Sequence, residues 1–557
     1  MSVQQAATCF DHIWAIPRNA EKPADAGKKK WNQEEGMKSK SSKKAIFIIS
    51  ITLILLFISG YMFISRNVKQ IIHPNDRQTD TKIDVDTRTL FSEVEKLIIN
   101  KMRQGKIPGL SVAIVKGGET AYKAGFGYAN IETGDKVTSD TLFQLASNSK
   151  AFTALGVLQL QKDGLINLED PISKYIPWLK LLYNGKETDV TIAEFLHHTS
   201  GISSNTIYRI PELNEENDDA IEKTVRTVVG LELASKPGTK YAYATINYDV
   251  LGLLIEEASG KKYEDYIQKY VLDAAGLCNT YMFKSKANST QLASGYKLGF
   301  LSQQYYNAPW YEGNKPAGYI ISSADDMAAW LKIQMDTGKS SLLDTKLIAQ
   351  SQYPNLSVDT FGEGMAYAAG WIVYDNAGTE ILHSGSNPNF SSFIIFRPDE
   401  KIGVAILCNT NTTYAMDIAQ SIIKLFSNSQ SSYTSVADYN QKIDQICIAI
   451  IFILFFAICV NLYSLMSSIY RFATKKEKLY SLNKKAVIKI SVISIIFVMI
   501  SSIVYFLPRF LFNGATWGYM IVWYPVTVKV VLYSTYTSLF LLLCNTLIKI
   551  FRKSSSL

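Results

Sequence analysis

The stretch FQLASNSKAFTA, Phe143 to Ala154, places a serine and a lysine three residues apart where an apolar helical pattern begins. A serine hydroxyl is a weak nucleophile until a neighbouring base accepts its proton, and residues i and i+3 share one face of a helix. Ser147 and Lys150 are therefore a candidate nucleophile and base. The same Ser-x-x-Lys pattern recurs elsewhere, at Ser41, Ser259, Ser421 and Ser481. Because spacing alone is not decisive, the surrounding sequence must decide.

The residues after Lys150 indicate that this lysine is buried. AFTALGVLQL, 151–160, is apolar on nearly every side, as expected of a helix through the centre of a domain. Burial disfavours the charged form of an amine, which makes a buried lysine available as a base. Since N–H groups are unpaired at a helix start, the backbone N–H of Ser147 is a candidate oxyanion donor. An ordinary helix start would explain Ser147 and Ser149 but not a buried lysine.

Four apolar segments of the 557-residue chain are long enough to cross a membrane. An α-helix rises about 1.5 Å per residue, so about 20 apolar residues cross a hydrocarbon layer of roughly 30 Å. The predicted spans are 45–65, 446–466, 490–507 and 525–548. Buried core helices are the alternative interpretation, but the clustering of three such segments near one end of the chain favours membrane spans.

Lysine and arginine residues flank these spans in three clusters, which predict the orientation of the chain. The clusters lie in the leader 1–44, in the loop 467–489 and in the tail 549–557. Because Lys and Arg remain on the cytoplasmic side, we expect these three segments on the cytoplasmic side of the cell membrane and residues 66–440 on its outer side. The net charge of +8 therefore reflects topology and gives no case for a nucleic-acid partner.

The first span has two interpretations. From Met37, the sequence MKSKSSKKAIFIISITLILLFISG has a basic start and an apolar core, typical of a signal peptide or a signal anchor. The apolar run is longer than a usual signal core and no A-x-A site follows it. We therefore expect an uncleaved anchor, with Met37 as a candidate true start.

The exterior part divides into a polar stalk, 66–88, and a domain, 89–440. LSVAIVKGGETAYKAGFGYANI contains two strand-like runs around Gly117 and Gly118, typical of a hairpin, and alternating strand patterns return from Gly370. The region between is rich in helical patterns. Strands at both ends around a helical insert predict an α+β fold.

Two further segments contain residues with suitable chemistry. KPGTKYAYATINYDVLGLLIEEASG predicts a turn and then a helix that closes at Gly260, with Tyr243 in the loop before the helix. A phenol has a pKa near 10, and a neighbouring lysine cation favours its anion, so Tyr243 is a candidate second base. HSGSNPNF lies between strand-like runs, where the Ser386 N–H is a candidate oxyanion donor and His383 a candidate contact for a substrate carboxylate or amide. Taken singly, these segments also fit aromatic packing and a β-turn with a surface histidine.

Together the three segments resemble the serine β-lactamase and penicillin-binding protein superfamily, whose motifs are Ser-x-x-Lys, Tyr-x-Asn and Lys/His-Thr/Ser-Gly. The chain is most similar to the class C (peptidase S12-like) branch, which includes D-Ala-D-Ala carboxypeptidases and esterases. Further blocks follow the family order over roughly 90–430: LSVAIVKGG, DPISKYIPW, VTIAEFLHHTSGI and KPAGYIISSADDMAAWL. The resemblance implies a β-lactamase/transpeptidase-like antiparallel sheet flanked by helices, with an all-helical insert, besides one N-terminal and three C-terminal transmembrane helices.

The resemblance also implies a role for each motif residue. Ser147 would be the acylated nucleophile, Lys150 its partner and Tyr243 the second general base. The N–H groups of Ser147 and Ser386 would form the oxyanion hole. The third motif consists of His383, Ser384 and Gly385. No metal or cofactor is expected, and the loop HHTSGI is structural in the family.

One position departs from the family pattern. Thr245 stands where the second motif usually has Asn, and a hydroxyl replaces only one hydrogen bond of an amide, which disfavours ordinary β-lactam turnover. An exterior class C-type domain followed by three membrane helices resembles the prodrug-activating D-peptidases (colibactin-activating peptidase type), which remove an N-acyl-D-asparagine cap during export. Thr245, Asn387 and Asn389 are candidate groups that bind such a cap.

We therefore expect a membrane-bound serine hydrolase that acts through an acyl-enzyme on a peptide-like small molecule, with prodrug maturation as its role. A D-Ala-D-Ala carboxypeptidase or a class C-type β-lactamase or esterase is the alternative, and a sensor that is acylated without turnover is another. Through the membrane helices, an exporter or a second copy of the chain is a further candidate partner. The sequence has no H-E-x-x-H, G-x-S-x-G or C-x-x-C motif, so zinc peptidases, α/β-hydrolases and thiol redox enzymes lack support.

Overall fold

The computed structural model describes residues 74–79, 85–213, 217–282, 287, 291–336, 343–362, 364–375, 378–427, 437–474, 477–479 and 483–554. All of them belong to a compact unit, Ile71–Leu557. The predicted leader 1–44, the first predicted span 45–65 and part of the predicted stalk lie outside the described residues.

The strands lie mostly at the two ends of the domain 89–440. In chain order they are β1 (Gly109–Lys116), β2 (Glu119–Asn130), β3 (Asp135–Lys136), β4 (Phe143–Gln144), β5 (Leu181–Tyr183), β6 (Lys186–Glu187), β7 (Leu231–Glu232), β8 (Tyr296–Gly299), β9 (Ser302–Tyr305), β10 (Ile321–Ser322), β11 (Met365–Tyr367), β12 (Ile372–Asp375), β13 (Thr379–Asn387), β14 (Phe390–Arg397), β15 (Ile402–Cys408), β16 (Glu477–Leu479) and β17 (Arg552–Ser554). An eight-stranded antiparallel sheet has the order β11–β12–β13–β14–β15–β1–β2–β3.

The helices fill the middle of the domain and the C-terminal part of the chain. In chain order they are α1 (Val85–Gly105), α2 (Lys150–Lys162), α3 (Ile192–Leu196), α4 (Ala220–Arg226), α5 (Ile246–Ser259), α6 (Tyr263–Ile267), α7 (Asp273–Ala275), α8 (Lys315–Gly318), α9 (Ala324–Gln334), α10 (Thr345–Ser351), α11 (Tyr414–Phe426), α12 (Tyr439–Ala473), α13 (Lys484–Leu511), α14 (Trp517–Trp523) and α15 (Val526–Phe551). Short 3₁₀ turns cover Ala146–Ser149, Ile172–Lys174, Ser204–Arg209, Glu312–Asn314 and Pro398–Glu400, and a π turn covers Gln268–Leu272.

Both faces of the large sheet are covered, which explains why its central strands are continuous apolar runs. Successive side chains of a strand point to opposite faces. In β1, Val112 and Ile114 pack on one face with residues of α1 and α11, while Ala113 and Val115 pack on the other face with the helical insert. The sheet is therefore the middle layer of the domain, as the predicted α+β fold requires.

Helix α2 crosses the centre of the domain, as its sequence predicts. Every residue from Lys150 to Leu158 is buried. The insert around this helix is mainly helical but also contains the small sheets β6–β5–β7 and β8–β9. These strands have only two to four residues, too few to produce a clear alternating pattern in the sequence.

Described residues of the predicted stalk pack on the domain. Pro74 and Gln78 form isolated β-bridges with Phe126 and Lys123 of β2. The side-chain amide of Asn75 donates to the backbone oxygen of Gly127 at 2.9 Å. These residues therefore contact the sheet through backbone bridges and a side-chain hydrogen bond.

The three predicted C-terminal spans correspond to α12, α13 and α15, which are the helices long and apolar enough to cross a membrane among the described residues. The short helix α14 connects the last two. The backbones of β16 and β17 pair with each other, with Glu477 opposite Ser554. The basic loop 467–489 and the tail 549–557 therefore meet, as expected if both lie on one side of a membrane.

Candidate active site

Ser147 lies in the 3₁₀ turn Ala146–Ser149, directly before α2 begins at Lys150. This corrects the expectation that both residues belong to one α-helix. A 3₁₀ helix has three residues per turn, so its side chains at i and i+3 are aligned. The Lys150 Nζ lies 3.2 Å from the Ser147 Oγ and donates a hydrogen bond to it. Ala146 has a φ of 48°, a conformation that residues other than glycine rarely adopt.

Burial separates this Ser-x-x-Lys pair from its repeats in the described part of the chain. Lys150 has 0% exposure, whereas Lys262 and Lys424, the lysines of the patterns that begin at Ser259 and Ser421, are exposed. The Lys150 Nζ also donates to the backbone oxygen of Ala317 in α8 at 2.6 Å. Ser147 and Lys150 are therefore a serine hydroxyl in contact with a buried amine and not an ordinary polar pair at a helix start.

The strand β13 lies directly against the serine turn because residue 385 is glycine. A Cβ at Gly385 would lie 2.3 Å from the backbone oxygen of Leu145 and equally close to the Ser392 Oγ, well inside van der Waals contact. The Ser392 Oγ in turn donates to the Leu145 oxygen at 2.5 Å and accepts from the Asn148 Nδ2 at 2.7 Å. The close approach of backbone to backbone thus brings the third motif next to Ser147.

Tyr243 lies in the loop before α5, as predicted, and its ring centroid is 5.2 Å from the Lys150 Nζ. His198 supports this loop from below. Its ring lies 4.3 Å from the Tyr243 ring, its backbone oxygen accepts from the Ala242 N–H at 2.8 Å, and its Nδ1 accepts from the Ala244 N–H at 3.3 Å. The loop HHTSGI therefore has a structural part in the site, which the family resemblance predicts.

The His198 ring is held neutral by its surroundings. Complete burial lowers its pKa well below the usual value, and the nearby Lys150 and His383 lower it further. Because the Nδ1 accepts hydrogen bonds, the proton of the neutral ring lies on the Nε2.

Alternation along β13 decides which side chains of the third motif are exposed. Ser384 and Ser386 are exposed, whereas His383, Gly385 and Asn387 are buried. Successive residues of a strand point to opposite sides, so the two serines share the open side. Ser384 and Ser386 are thus the residues of this motif whose side chains are available to a bound molecule.

Asn387 and Asn389 are buried, contrary to the sequence-based expectation that they bind a substrate cap. The Asn387 Nδ2 donates to the Gln144 Oε1 at 2.7 Å and to the Gly318 oxygen at 3.0 Å. The Asn389 Nδ2 donates to the Tyr306 oxygen at 2.9 Å, and the side chain is 5% exposed. Alternation along β13 turns the Asn387 side chain inward, and the β13–β14 turn does the same for Asn389. Both amides therefore link this hairpin to other segments of the domain.

His383 is also engaged within the protein, so the predicted contact with a substrate carboxylate or amide is not available to it in this structure. Its Nδ1 donates to the Ser384 oxygen at 2.8 Å, and its Nε2 accepts from the Tyr367 hydroxyl at 3.1 Å. Burial and then the charge of Lys150 lower its pKa to about 3. A neutral imidazole with both nitrogens paired supports the strand and Tyr367.

Thr245 is the N-cap residue of α5 and is 9% exposed. Its side chain makes no capping hydrogen bond to the helix. Thr245 thus lies two positions after Tyr243 at the start of α5, and its hydroxyl is not used for capping.

Three contributors to the site were not predicted from the sequence: Ala317, Tyr367 and Asn411, whose Nδ2 donates to the Ser386 Oγ at 2.9 Å. Ala317 acts through its backbone oxygen, and Tyr367 is one of 32 tyrosines, so neither has a distinctive pattern. The block KPAGYIISSADDMAAWL, which resembles the family, contains Ala317 and was the available signal. Among the described residues, no group of three or more His, Cys, Asp or Glu side chains is arranged to hold a metal ion.

Comparison with known proteins identifies the family of this domain. Residues 94–425 match the family model described as Beta-lactamase. "Protein flp" of Staphylococcus aureus (strain N315) is 30% identical over 452 residues, which cover 80% of this chain and 88% of that protein. This alignment is longer than the Beta-lactamase match, so it extends beyond the catalytic domain. "Unguisins hydrolase ungD" of Aspergillus violaceofuscus is 29% identical over 360 residues, covering 59% of this chain and 63% of that protein.

Two solved structures share the fold. The octameric penicillin-binding protein homologue from Pyrococcus abyssi has a TM-score of 0.52 and 30% sequence identity, over 60% of this chain and 76% of that chain. EstCE1, a hydrolase with promiscuous acyltransferase activity, has a TM-score of 0.54 over 61% of this chain and 100% of that chain. At 20% identity, EstCE1 supports the fold alone. Together with the family match over more than half of the chain, these findings identify the protein as a serine hydrolase of the β-lactamase and penicillin-binding protein superfamily.

Proposed function

We propose that this protein is a class C-type (peptidase S12-like) hydrolase that forms an acyl-enzyme on Ser147 and cleaves amide bonds next to D-amino acids. Its proposed role is the removal of an N-acyl-D-amino-acid cap from a secreted natural-product prodrug. The observation that carries the proposal is the hydrogen bond from the buried Lys150 Nζ to the Ser147 Oγ, with the Tyr243 ring centroid 5.2 Å from the same amine.

The proposed reaction has two steps. In the first, the Ser147 Oγ forms a bond to the substrate carbonyl carbon while its proton passes to Lys150 and Tyr243; the C–N bond then breaks and the leaving amine takes that proton. In the second, water attacks the acyl-enzyme ester and gives its proton through the same groups to the Ser147 oxygen. The N–H groups of Ser147 and Ser386 would stabilise the oxyanion in both steps.

The proposed substrate is a peptide-like small molecule with D-configuration near the scissile bond. Ser384, Ser386 and Thr245 are the polar groups left for substrate recognition, since Asn387 and Asn389 are engaged within the domain. Asn387 and Asn389 therefore do not support a preference for D-asparagine over other polar D-residues. N-acyl-D-asparagine remains the first substrate to test because the resemblance to the prodrug-activating D-peptidases implies it. One relative is named as a hydrolase of unguisins.

We further propose that the catalytic domain lies outside the cytoplasmic membrane. The basic loop 467–489 and the tail 549–557 meet through β16 and β17, which supports a common side for both. Positively charged loops remain cytoplasmic. Since the relative from Pyrococcus abyssi is octameric, a homo-oligomer is the first assembly to test, and an exporter is the second.

The experiment is a mass-spectrometric time course with full-length protein in detergent and the N-acetyl-D-asparagine and N-acetyl-L-asparagine p-nitroanilides. We expect a transient adduct on Ser147 and release of p-nitroaniline from the D-compound. Ser147→Ala should abolish both signals. Ser421→Ala is the matched control, because it removes the serine of a Ser-x-x-Lys pattern whose lysine is exposed.

The outcomes separate the alternatives. Product formation by Ser147→Ala would refute the mechanism. A stoichiometric adduct without product would favour an acylated sensor, and release of D-alanine from a D-Ala-D-Ala peptide in preference to the anilide would favour a carboxypeptidase. Turnover of a β-lactam or a simple ester in preference to both would favour the β-lactamase or esterase alternative.

A further inference from the structure

Asn411 follows β15, and its side chain holds the end of β13. Its Nδ2 donates to the Ser386 Oγ at 2.9 Å and to the backbone oxygen of Asn387 at 2.8 Å. One amide thus fixes the last two residues of the strand that carries the proposed oxyanion donor. A donor that is held in place before charge develops stabilises that charge without reorganisation. The position of Asn411 therefore bears on catalysis although it is not a motif residue.

The first turn of α12 holds the loop that carries Asn411. The Asn440 Nδ2 donates to the backbone oxygen of Asn411 at 3.2 Å. Asp438, the N-cap residue of α12, accepts hydrogen bonds from the Thr412 hydroxyl at 2.5 Å and from the Thr413 N–H at 3.1 Å. Asp438 and Thr412 are buried, so water competes little for these hydrogen bonds. The loop is thus attached to the start of a predicted membrane helix at three consecutive residues.

Helix α12 is itself fixed at this end. The buried carboxylate of Asp444 accepts from the N–H groups of Phe300 and Leu301, at 3.1 and 2.6 Å, and from the Thr527 hydroxyl of α15 at 2.7 Å. Phe300 and Leu301 form the β8–β9 turn with φ values of 53° and 58°, which are rare for residues with a Cβ. The carboxylate compensates this strain and joins α12 to both the catalytic domain and another membrane helix.

We propose that Asn440 and Asn411 are positioning residues through which α12 holds Ser386 in its place beside Ser147. The inference rests on the proposed function, because it gives the Ser386 N–H a role in the reaction. The hydrogen bonds run from Asn440 to Asn411 and from Asn411 to Ser386 and Asn387. The membrane helix thereby contributes to catalysis without contact with the substrate.

The test compares Asn440→Ala, Asn411→Ala and the double variant in the full-length protein, with p-nitrophenyl acetate as substrate. We expect kcat to fall about 10-fold in each single variant while KM stays nearly unchanged, because the oxyanion donor is displaced and not removed. The double variant should have the kcat of Asn411→Ala, since both residues act through one contact. Thermal unfolding identifies any variant that fails to fold, and Asn440→Ala, the more distant change, then carries the test.

Gln441→Ala is the matched control. The Gln441 side chain also joins the first turn of α12 to the catalytic domain, through a 2.8 Å hydrogen bond to the Gln104 oxygen in α1, but it does not reach β13. Its kcat should equal that of the unmodified protein. An equal loss in Gln441→Ala, additive losses in the double variant, or unchanged kcat in both asparagine variants would overturn the inference. Activity in Ser147→Ala would instead overturn the proposed function, whatever the asparagine variants do.

Discussion

The candidate site has a helical wall, formed by Ser147 and Lys150, and a strand wall, formed by His383 to Asn387. The two differ in how well the sequence predicts which side chains meet or face a ligand. On the helical wall, Ser147 and Lys150 are three residues apart in a tight turn, so motif spacing and contact coincide. On the strand wall, the five residues His383 to Asn387 are contiguous, yet only Ser384 and Ser386 are exposed. A motif read along a strand therefore mixes residues that face a ligand with residues that support the strand.

The walls also differ in what holds them. Lys150 is fixed by the buried first half of helix α2 and by the Ala317 oxygen, both within the helical part of the domain. The end of β13 is fixed by Asn411 and by the tight contact at Gly385. We therefore expect substitutions on the helical wall to remove a reacting group, and substitutions on the strand wall to displace β13 or to lower the stability of the domain.

The largest expected effect belongs to the helical wall. Lys150→Met keeps a long apolar side chain but removes the amine, so kcat/KM should fall by about 10³- to 10⁴-fold, near the upper range for loss of a general base. Steady-state hydrolysis of p-nitrophenyl acetate measures it. Lys424→Met, the same change at an exposed lysine of another Ser-x-x-Lys pattern, should have no effect. Near-normal rates in Lys150→Met would place the base elsewhere.

The next effect tests the contact between the two walls. In Gly385→Ala, the new Cβ would lie 2.3 Å from the Leu145 oxygen, so β13 must move away from the serine turn. We expect a fall in kcat of about 100-fold, the effect of a displacement of roughly 1 Å in a reacting group. With p-nitrophenyl acetate, which has no amino-acid side chain for Ser384 to recognise, Ser384→Ala at the adjacent exposed position should change kcat by less than about threefold. Similar losses in both variants would contradict the idea that close backbone approach is what residue 385 provides.

The sequence predicted the helical wall and the sheet better than it predicted the strand wall. Apolar residues on every side of 151–160 indicated a buried helix, and the residues from Lys150 to Leu158 are buried. The inward orientation of Asn387 was not predicted, because polar residues usually face solvent and here Gln144 and Gly318 supply buried partners. Partners that lie more than 60 residues away leave no local signal.

Asn387 offers a smaller effect, on stability. Asn387→Ala leaves the buried Gln144 side chain without this donor, so the free energy of unfolding should fall by about 1–3 kcal/mol. If Asn387 instead bound the substrate, as its motif position suggested, KM would rise and stability would change little. Chemical unfolding of the full-length protein, together with KM for N-acetyl-D-asparagine p-nitroanilide, separates the two. Ser384→Ala, whose side chain is exposed, is the control that should leave stability unchanged.

The smallest effect concerns acid stability and His383. Its folded-state pKa of about 3 lies below the usual 6.5, so the unfolded chain binds a proton that the folded protein does not bind. The stability that follows is complete above about pH 6.5 and is lost as the pH falls toward 3. Between pH 6.5 and 5 this loss amounts to at most about 2 kcal/mol, since one proton is worth about 1.4 kcal/mol per pH unit. In His383→Asn, whose amide retains a donor near the Nδ1 position, the free energy of unfolding should fall less over the same pH interval. Equal losses in the variant and the unmodified protein would show that groups other than His383 set the acid sensitivity. The contacts of β13 through Asn387, Asn411 and Gly385, which do not titrate, would then remain as what stabilises the strand wall.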